Sequence, residues 1–178
     1  MSNDAGDRIV GAPLGGPIPQ QDRGRAVSVT ITEERPDTPD ALALIAELED
    51  VLDPLYPRES RHGYSVEKLL REKVAFFIVR EDGIAAGCGG VQLSGTEYGE
   101  LKRMYVRPNF RGLGLGKLIL NHLADHALQR GVSMLRLETG IYQEEAIGLY
   151  EWFGFQRVPP FGAYREDPLS LFLEKQLA

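Results

Sequence analysis

The 178-residue chain carries a net charge of −6 with 43% hydrophobic and 26% charged residues, the balance of a globular domain with one sizeable core. The negative charge disfavours a general nucleic-acid binder, the single cysteine, Cys88, excludes an internal disulfide, and no apolar run approaches the roughly 18 residues of a membrane span. Without a continuous apolar leader at its start, the expected location is cytoplasmic.

Residues 1–25 hold five glycines and three prolines with little periodicity, and are expected to form a flexible N-terminal arm before a domain over 26–178. Val27, Val29 and Ile31 alternate with Ser28, Thr30 and Thr32, the pattern of a half-buried strand. Thr38-Pro39 predicts a helix start, with Thr38 as N-cap and an apolar stripe of Leu42, Ile45, Leu48 and Leu52. Asp53-Pro54 ends it, a polar loop runs to residue 64, and Ser65 opens a short second helix. Strands are predicted over 74–80, 84–93 and 98–107, joined by turns at Glu81-Asp82-Gly83 and Ser94-Gly95-Thr96. A glycine-rich turn at 111–116 leads into a helix from about Gly114 to Arg130, with Leu115, Leu118, Ile119, Leu123 and Ala127 facing the core and Gly131 ending it. A strand over 134–138, a helix over 144–153 stopped by Gly154, and strands near 155–158 and 169–175 complete the chain. The order β-α-α-β-β-β-α-β-α-β-β predicts a mixed-sheet α+β domain.

The turn Arg111-Gly-Leu-Gly-Leu-Gly116 offers backbone N–H groups and a helix N-terminus, both suited to phosphate. It fails the nucleotide triphosphate pattern, because Arg111 replaces the first glycine and Leu118 the magnesium-binding hydroxyl. It also fails the dinucleotide pattern, because the glycines are spaced by two and follow hairpins. A purely structural strand–helix connection stays open at this point.

Arg111-x-x-Gly114-x-Gly116 resembles the acyl-CoA motif of the GNAT N-acetyltransferase superfamily. Glu100 to Pro108 resembles the family's central strand leading into that loop, and Ala146-x-x-Leu149-Tyr150-x-x-x-Gly154-Phe155 its later helix motif. The resemblance covers about residues 26–177. It implies a central, mixed, mostly antiparallel twisted sheet flanked by helices and splayed between strands 4 and 5, with acetyl-CoA as co-substrate in the gap and no metal. Its pantetheine would meet the backbone of Met104, Tyr105 and Val106. Its pyrophosphate would fall on Arg111, Gly112, Leu113, Gly114, Leu115, Gly116 and Lys117, although a solvated role for Lys117 stays open. Gln143 stands where many members carry a cofactor-contacting Asn.

Transfer to a primary amine needs a base for an ammonium of pKa about 10.4 and a donor for a thiolate of pKa about 8.5. The resemblance points Tyr150 at the sulfur as general acid; a core tyrosine is the alternative. Glu100 is the candidate base, because strand alternation puts it on the face of Met104 and Val106; pairing with Lys102 is the alternative. Tyr56, Glu138, Phe161 and Tyr164, with His62 and Tyr64, are candidate acceptor contacts, Glu138 being alternatively a second candidate base. The acceptor is expected to be a small-molecule or protein amine, with no nucleic-acid or membrane partner, and homodimerisation stays open. His122 and His126 mimic a metal pair but lack an evident third ligand. A non-catalytic acyl-CoA-binding module is the competing reading, and a phosphate-loop nucleotide hydrolase a third.

Overall fold

A computed structural model describes residues 27–60 and 64–178; the expected N-terminal arm and His62 lie outside them. The order is β1 (Val29–Glu34), α1 (Pro39–Leu52), α2 (Val66–Arg71), β2 (Ala75–Glu81), β3 (Ile84–Ser94), β4 (Tyr98–Val106), α3 (Leu115–Leu128), β5 (Met134–Gly140), α4 (Glu144–Phe153), β6 (Gln156–Val158) and β7 (Ser170–Gln176). Single 3₁₀ turns at Arg58–Ser60 and Pro108–Phe110 interrupt the loops.

The elements form a seven-stranded sheet ordered β1-β2-β3-β4-β5-β7-β6. Every neighbouring pair is antiparallel except β4 and β5. That parallel pair is joined only at Gly99–Leu135 and Glu100–Arg136. From Leu101 onward β4 has no β5 partner, so the sheet is open along half its centre. This is the expected α+β single domain with its splayed sheet.

Two apolar clusters cover the sheet. On one face α3 and α4 bury Leu115, Ile119, Leu123 and Tyr150 against Val91, Leu101, Leu135 and Leu137. On the other, α1 and α2 bury Ala41, Leu44, Leu48 and Leu69 against Phe76, Ile78, Cys88 and Tyr105.

Some expectations need correction. In α1 the buried stripe is Ala41, Leu44, Ile45 and Leu48, whereas Leu42 is exposed; both sets have helical spacing, so spacing alone does not choose between them. Leu118 of α3 is likewise exposed, while Leu120 is buried. The side chain of Thr38 does not cap α1 but donates from Oγ1 to Glu34 Oε2 at 3.2 Å. In β1, an edge strand, Val29 is exposed and only Ile31 packs against the core.

Candidate active site

The phase of β4 decides where its side chains go. Cys88 pairs with Tyr105, but Gly90 pairs with Lys102, so Arg103 and Met104 together oppose Gly89. This is a β-bulge, and Arg103 takes a left-handed φ of 54° within it. The bulge reverses the alternation. Glu100 and Lys102 face the α1–α2 side, where Tyr64 lies, whereas Met104 and Val106 pack on the α3 side. The expectation that Glu100 shares a face with Met104 and Val106 is therefore wrong.

Both faces nevertheless meet in one place. A cavity of about 130 Å³ opens where β4 and β5 part. Glu100, Lys102, Arg103 and Met104 line it from β4, Glu138 and Thr139 from β5, and Gln143 and Tyr150 from α4 and its entrance. Leu48, Tyr56, Tyr64 and Tyr164 complete its walls.

Glu100 is buried and bonded through one oxygen alone. Its Oε1 accepts from Lys102 Nζ and, at 2.6 Å, from the Tyr164 hydroxyl. Lys102 also donates to Tyr164 Oη at 2.9 Å and sits 4.1 Å from the centroid of the Tyr64 ring. Glu100 Oε2 has no hydrogen-bond partner among the described residues. Burial pushes the Lys102 ammonium below its ordinary pKa, against the opposing pull of Glu100. Burial, then the Glu100 charge, pushes the Tyr164 phenol up.

Tyr150 reaches the cavity from the opposite face of the sheet. It is 6% exposed, and its hydroxyl has no hydrogen-bond partner among the described residues. Burial, with the nearby Glu138 charge, raises its pKa and keeps the phenol protonated. Glu138 Oε1 accepts from Ser170 Oγ at 2.6 Å.

The remaining predicted residues divide. Tyr56 lines the cavity, but its hydroxyl accepts from Tyr142 N at 2.8 Å and its ring lies against Gly140, so it also anchors the segment leading to Gln143. Phe161 does not line the cavity: it packs among Tyr98, Tyr164 and Phe172, and holds Tyr164 in place. Residues missed beforehand are Arg103 and Glu49. Arg103 is ion-paired to Glu49 of α1 and donates from Nε to Tyr64 O at 3.0 Å, fastening the loop to the bulge.

The glycine loop has the predicted shape. Gly112 and Gly114 take φ of 78° and 80°, which glycine alone adopts without strain. The N–H groups of Gly112, Leu113 and Gly114 have no acceptor among the described residues, and no side chain caps the first turn of α3. A row of open amides at a helix N-terminus, beside the unpaired stretch of β4, fits a phosphate joined to an amide-bearing arm. Leu115 is buried in the core, and Leu113 is exposed. The Tyr105 side chain turns away toward α1, where it contacts Glu47 at 3.4 Å. Arg111 pairs with Glu145 at 3.0 Å and donates to Val106 O at 3.2 Å. The Lys117 ammonium does not point to the loop's amides but lies 3.6 Å from the centre of the Trp152 ring.

Cys88 is buried and donates to Arg103 O at 3.3 Å; burial pushes its thiol up to about 12, which opposes an acyl-cysteine route. His122 and His126 pack on Phe77 at 4.6 and 5.1 Å, and burial lowers the pKa of His126.

An open-sheet fold with a phosphate-type loop, a parted central pair of strands and a cavity holding a carboxylate and a phenol agrees with the class that the comparisons show, acyl-CoA-dependent transferases. Residues 42–155 match the model of the acetyltransferase (GNAT) family. The chain is 43% identical over 152 residues to the IAA acetyltransferase of Azospirillum brasilense, covering 84% of this chain and 99% of that protein. It is 40% identical to the uncharacterized N-acetyltransferase YsnE of Bacillus subtilis, covering 68% and 82% of the two chains. A solved structure from Klebsiella pneumoniae, described as an acyl-CoA N-acyltransferase, superposes with a TM-score of 0.72 at 38% identity, covering 84% of this chain and 98% of that one. The chain belongs to the GNAT acetyltransferase family. It is an acetyl-CoA-dependent acyltransferase. No described helix is long and apolar enough to cross a membrane.

Proposed function

We propose that the chain moves an acetyl group from acetyl-CoA to a primary amine by direct attack, with Glu100 as base and Tyr150 as proton donor. The observation that carries this is the arrangement of two unsatisfied polar atoms. Glu100 Oε2 and the Tyr150 hydroxyl lack hydrogen-bond partners among the described residues, and both residues line the cavity in the parted sheet. Buried polar atoms normally find partners, so two idle ones in one cavity suit groups that meet a ligand.

Acetyl-CoA supplies the activated acyl group. Of the chain's groups, the open amides of residues 112–117 and the backbone of Met104, Tyr105 and Val106 would hold it, with Gln143 at the cavity edge. Lys102 and Tyr164 fix Glu100 through Oε1, which leaves Oε2 to take the amine proton directly or through water. Tyr150 holds its proton because burial and Glu138 oppose ionisation. Burial disfavours a bare thiolate as it does a phenolate, so the phenol can share its proton with the sulfur as charge develops there in the transition state. Acid and base stand on opposite faces of the sheet, so acceptor and donor approach through the splay from different sides. Glu138, Tyr56 and Tyr164 form the acceptor wall, with Phe161 behind it.

Thiol release with acetyl-CoA over an amine panel tests the reading. Turnover with at least one amine, abolished by Glu100→Gln, supports it. Coenzyme binding without turnover on any amine, unaffected by Tyr150→Phe, favours the binding module.

A further inference from the structure

A second cavity, of about 630 Å³, lies where β1 stops and β2 starts, between the last turns of α2 and α3. It shares no lining residue with the cavity in the parted sheet. Small-molecule sites usually enclose about 300–1,000 Å³, so the space suits a ligand. Leu69, Val74, Phe76 and Val91, all buried, and the partly buried Leu93 give it an apolar wall.

Its charges are unevenly paired. Glu34 is bound to Arg80, Arg35 to Asp37 and Glu72 to Arg71. Glu33, Lys73 and Arg130 also line the cavity, and none of them has an ion-pair partner among the described residues. Lys73 ends α2 with a φ of 52°, a place where glycine is the usual residue. Arg130 spends one N–H on His126 O at 3.2 Å and keeps the rest of its fork.

Between these charges stands His126. Its ring is buried, lies edge-on to Phe77 at 5.1 Å, and has no hydrogen-bond partner for either nitrogen among the described residues. A buried polar group normally has one. Burial lowers the imidazole pKa most, the Arg130 charge lowers it further, and Glu33 opposes both. Glu33 and Arg130 therefore both face one imidazole, yet they do not pair with each other across the cavity.

We infer that this cavity binds a small zwitterion with an apolar tail, an aliphatic α-amino acid. Its carboxylate lies between Lys73 and Arg130 and accepts from the His126 ring N–H. Its ammonium meets Glu33, and its side chain rests on the apolar wall. The site stands apart from the acceptor's, so it does not depend on the acetyl-transfer reading.

Leucine is the probe, titrated into the full chain labelled in its histidine rings and followed by NMR and calorimetry. The His126 signal is assigned by its loss in His126→Gln or, should that variant not fold, by elimination with His62→Gln and His122→Gln. The expected result is a saturable shift of the His126 ring that tracks the calorimetric isotherm and persists with saturating coenzyme A. Glycine, which lacks the tail, should bind about tenfold more weakly. 4-Methylpentanoate, without the ammonium, and 3-methylbutylamine, without the carboxylate, should each bind about two- to fivefold more weakly, the usual worth of an exposed ion pair. Glu33→Gln should remove the preference over 4-methylpentanoate, and Lys73→Met/Arg130→Met the preference over 3-methylbutylamine, with thiol release unchanged in both. No saturable response of the His126 ring, equal binding of glycine and leucine, or preferences kept in the variants overturns the inference. Displacement of leucine by the best amine of the panel places it in the catalytic cavity and also overturns the inference.

Discussion

Gly140→Ala probes the wall of the cavity. A Cβ at residue 140 would stand 2.6 Å from Tyr56 Cε1 and closer still to Cζ and Oη. Carbon atoms in contact prefer about 3.5–4.0 Å, so the ring must retreat by about 1 Å. It has little room, because Tyr56 is buried and its hydroxyl accepts from Tyr142 N at 2.8 Å. Overpacking of this kind costs about 1–3 kcal/mol, and losing the hydrogen bond adds about 0.5–1.5 kcal/mol. At about 2–4 °C per kcal/mol for a chain of this size, Gly140→Ala should lower Tm by about 3–18 °C. The same substitution in a Tyr56→Ala background should cost almost nothing, since the clashing ring is gone. Thermal unfolding of the four proteins in this cycle measures both quantities. An unchanged Tm for Gly140→Ala, or an equal drop with Tyr56 absent, would refute the argument.

Two further predictions use titration. Hydrogen bonds from Arg80 and Arg107 hold Glu34 and Glu47 below the ordinary carboxylate value of 4.5. Their folded pKa lies below the unfolded one, so the stabilisation is present above 4.5 and lost as pH falls through the lower folded values. The double variant Glu34→Gln/Glu47→Gln should be less stable than wild type near neutral pH, by up to about 1 kcal/mol per partly exposed pair, and should converge with it in acid on a plot of Tm against pH. Cys88, its thiol near 12, should resist aromatic-disulfide labelling at neutral pH until the chain unfolds, and Cys88→Ala should leave kcat unchanged; rapid labelling of the native protein would contradict its burial.

Much of the architecture was legible because local rules and tertiary packing agreed. The glycines at 114, 131 and 154 all take left-handed φ at helix boundaries, which only a residue without Cβ does easily. Ser65 caps α2 through Lys68 N, as its position before Val66 suggested. The splay between strands 4 and 5 came from the family resemblance and not from periodicity. What was not legible depends on long-range geometry. Nothing local to Lys102-Arg103-Met104 announces a bulge, since the extra residue is defined only against Gly89 on the neighbouring strand. Missing it placed Glu100 on the wrong face, although the cavity still reaches it because the sheet is open there. Lys102 entered the sequence reading only as an alternative partner of Glu100, yet it is buried at the centre of the site. The signal was a lysine two residues after Glu100, on the same face by strand alternation. Phe161 illustrates the reverse error: an aromatic near the site by sequence packs behind Tyr164 instead of facing the cavity.

The central claim is that Tyr150 and Glu100 act on the reacting atoms from opposite faces of the parted sheet. The most direct test compares Tyr150→Phe with wild type for two quantities: acetyl-CoA affinity by calorimetry and kcat by thiol release with the best amine of the panel. Removing one hydroxyl with no hydrogen-bond partner among the described residues should leave affinity within about threefold and lower kcat by about 10²–10⁴-fold, the usual contribution of a positioned acid. Full kcat in Tyr150→Phe, with affinity unchanged, would show that the phenol is a core side chain and contradict the account.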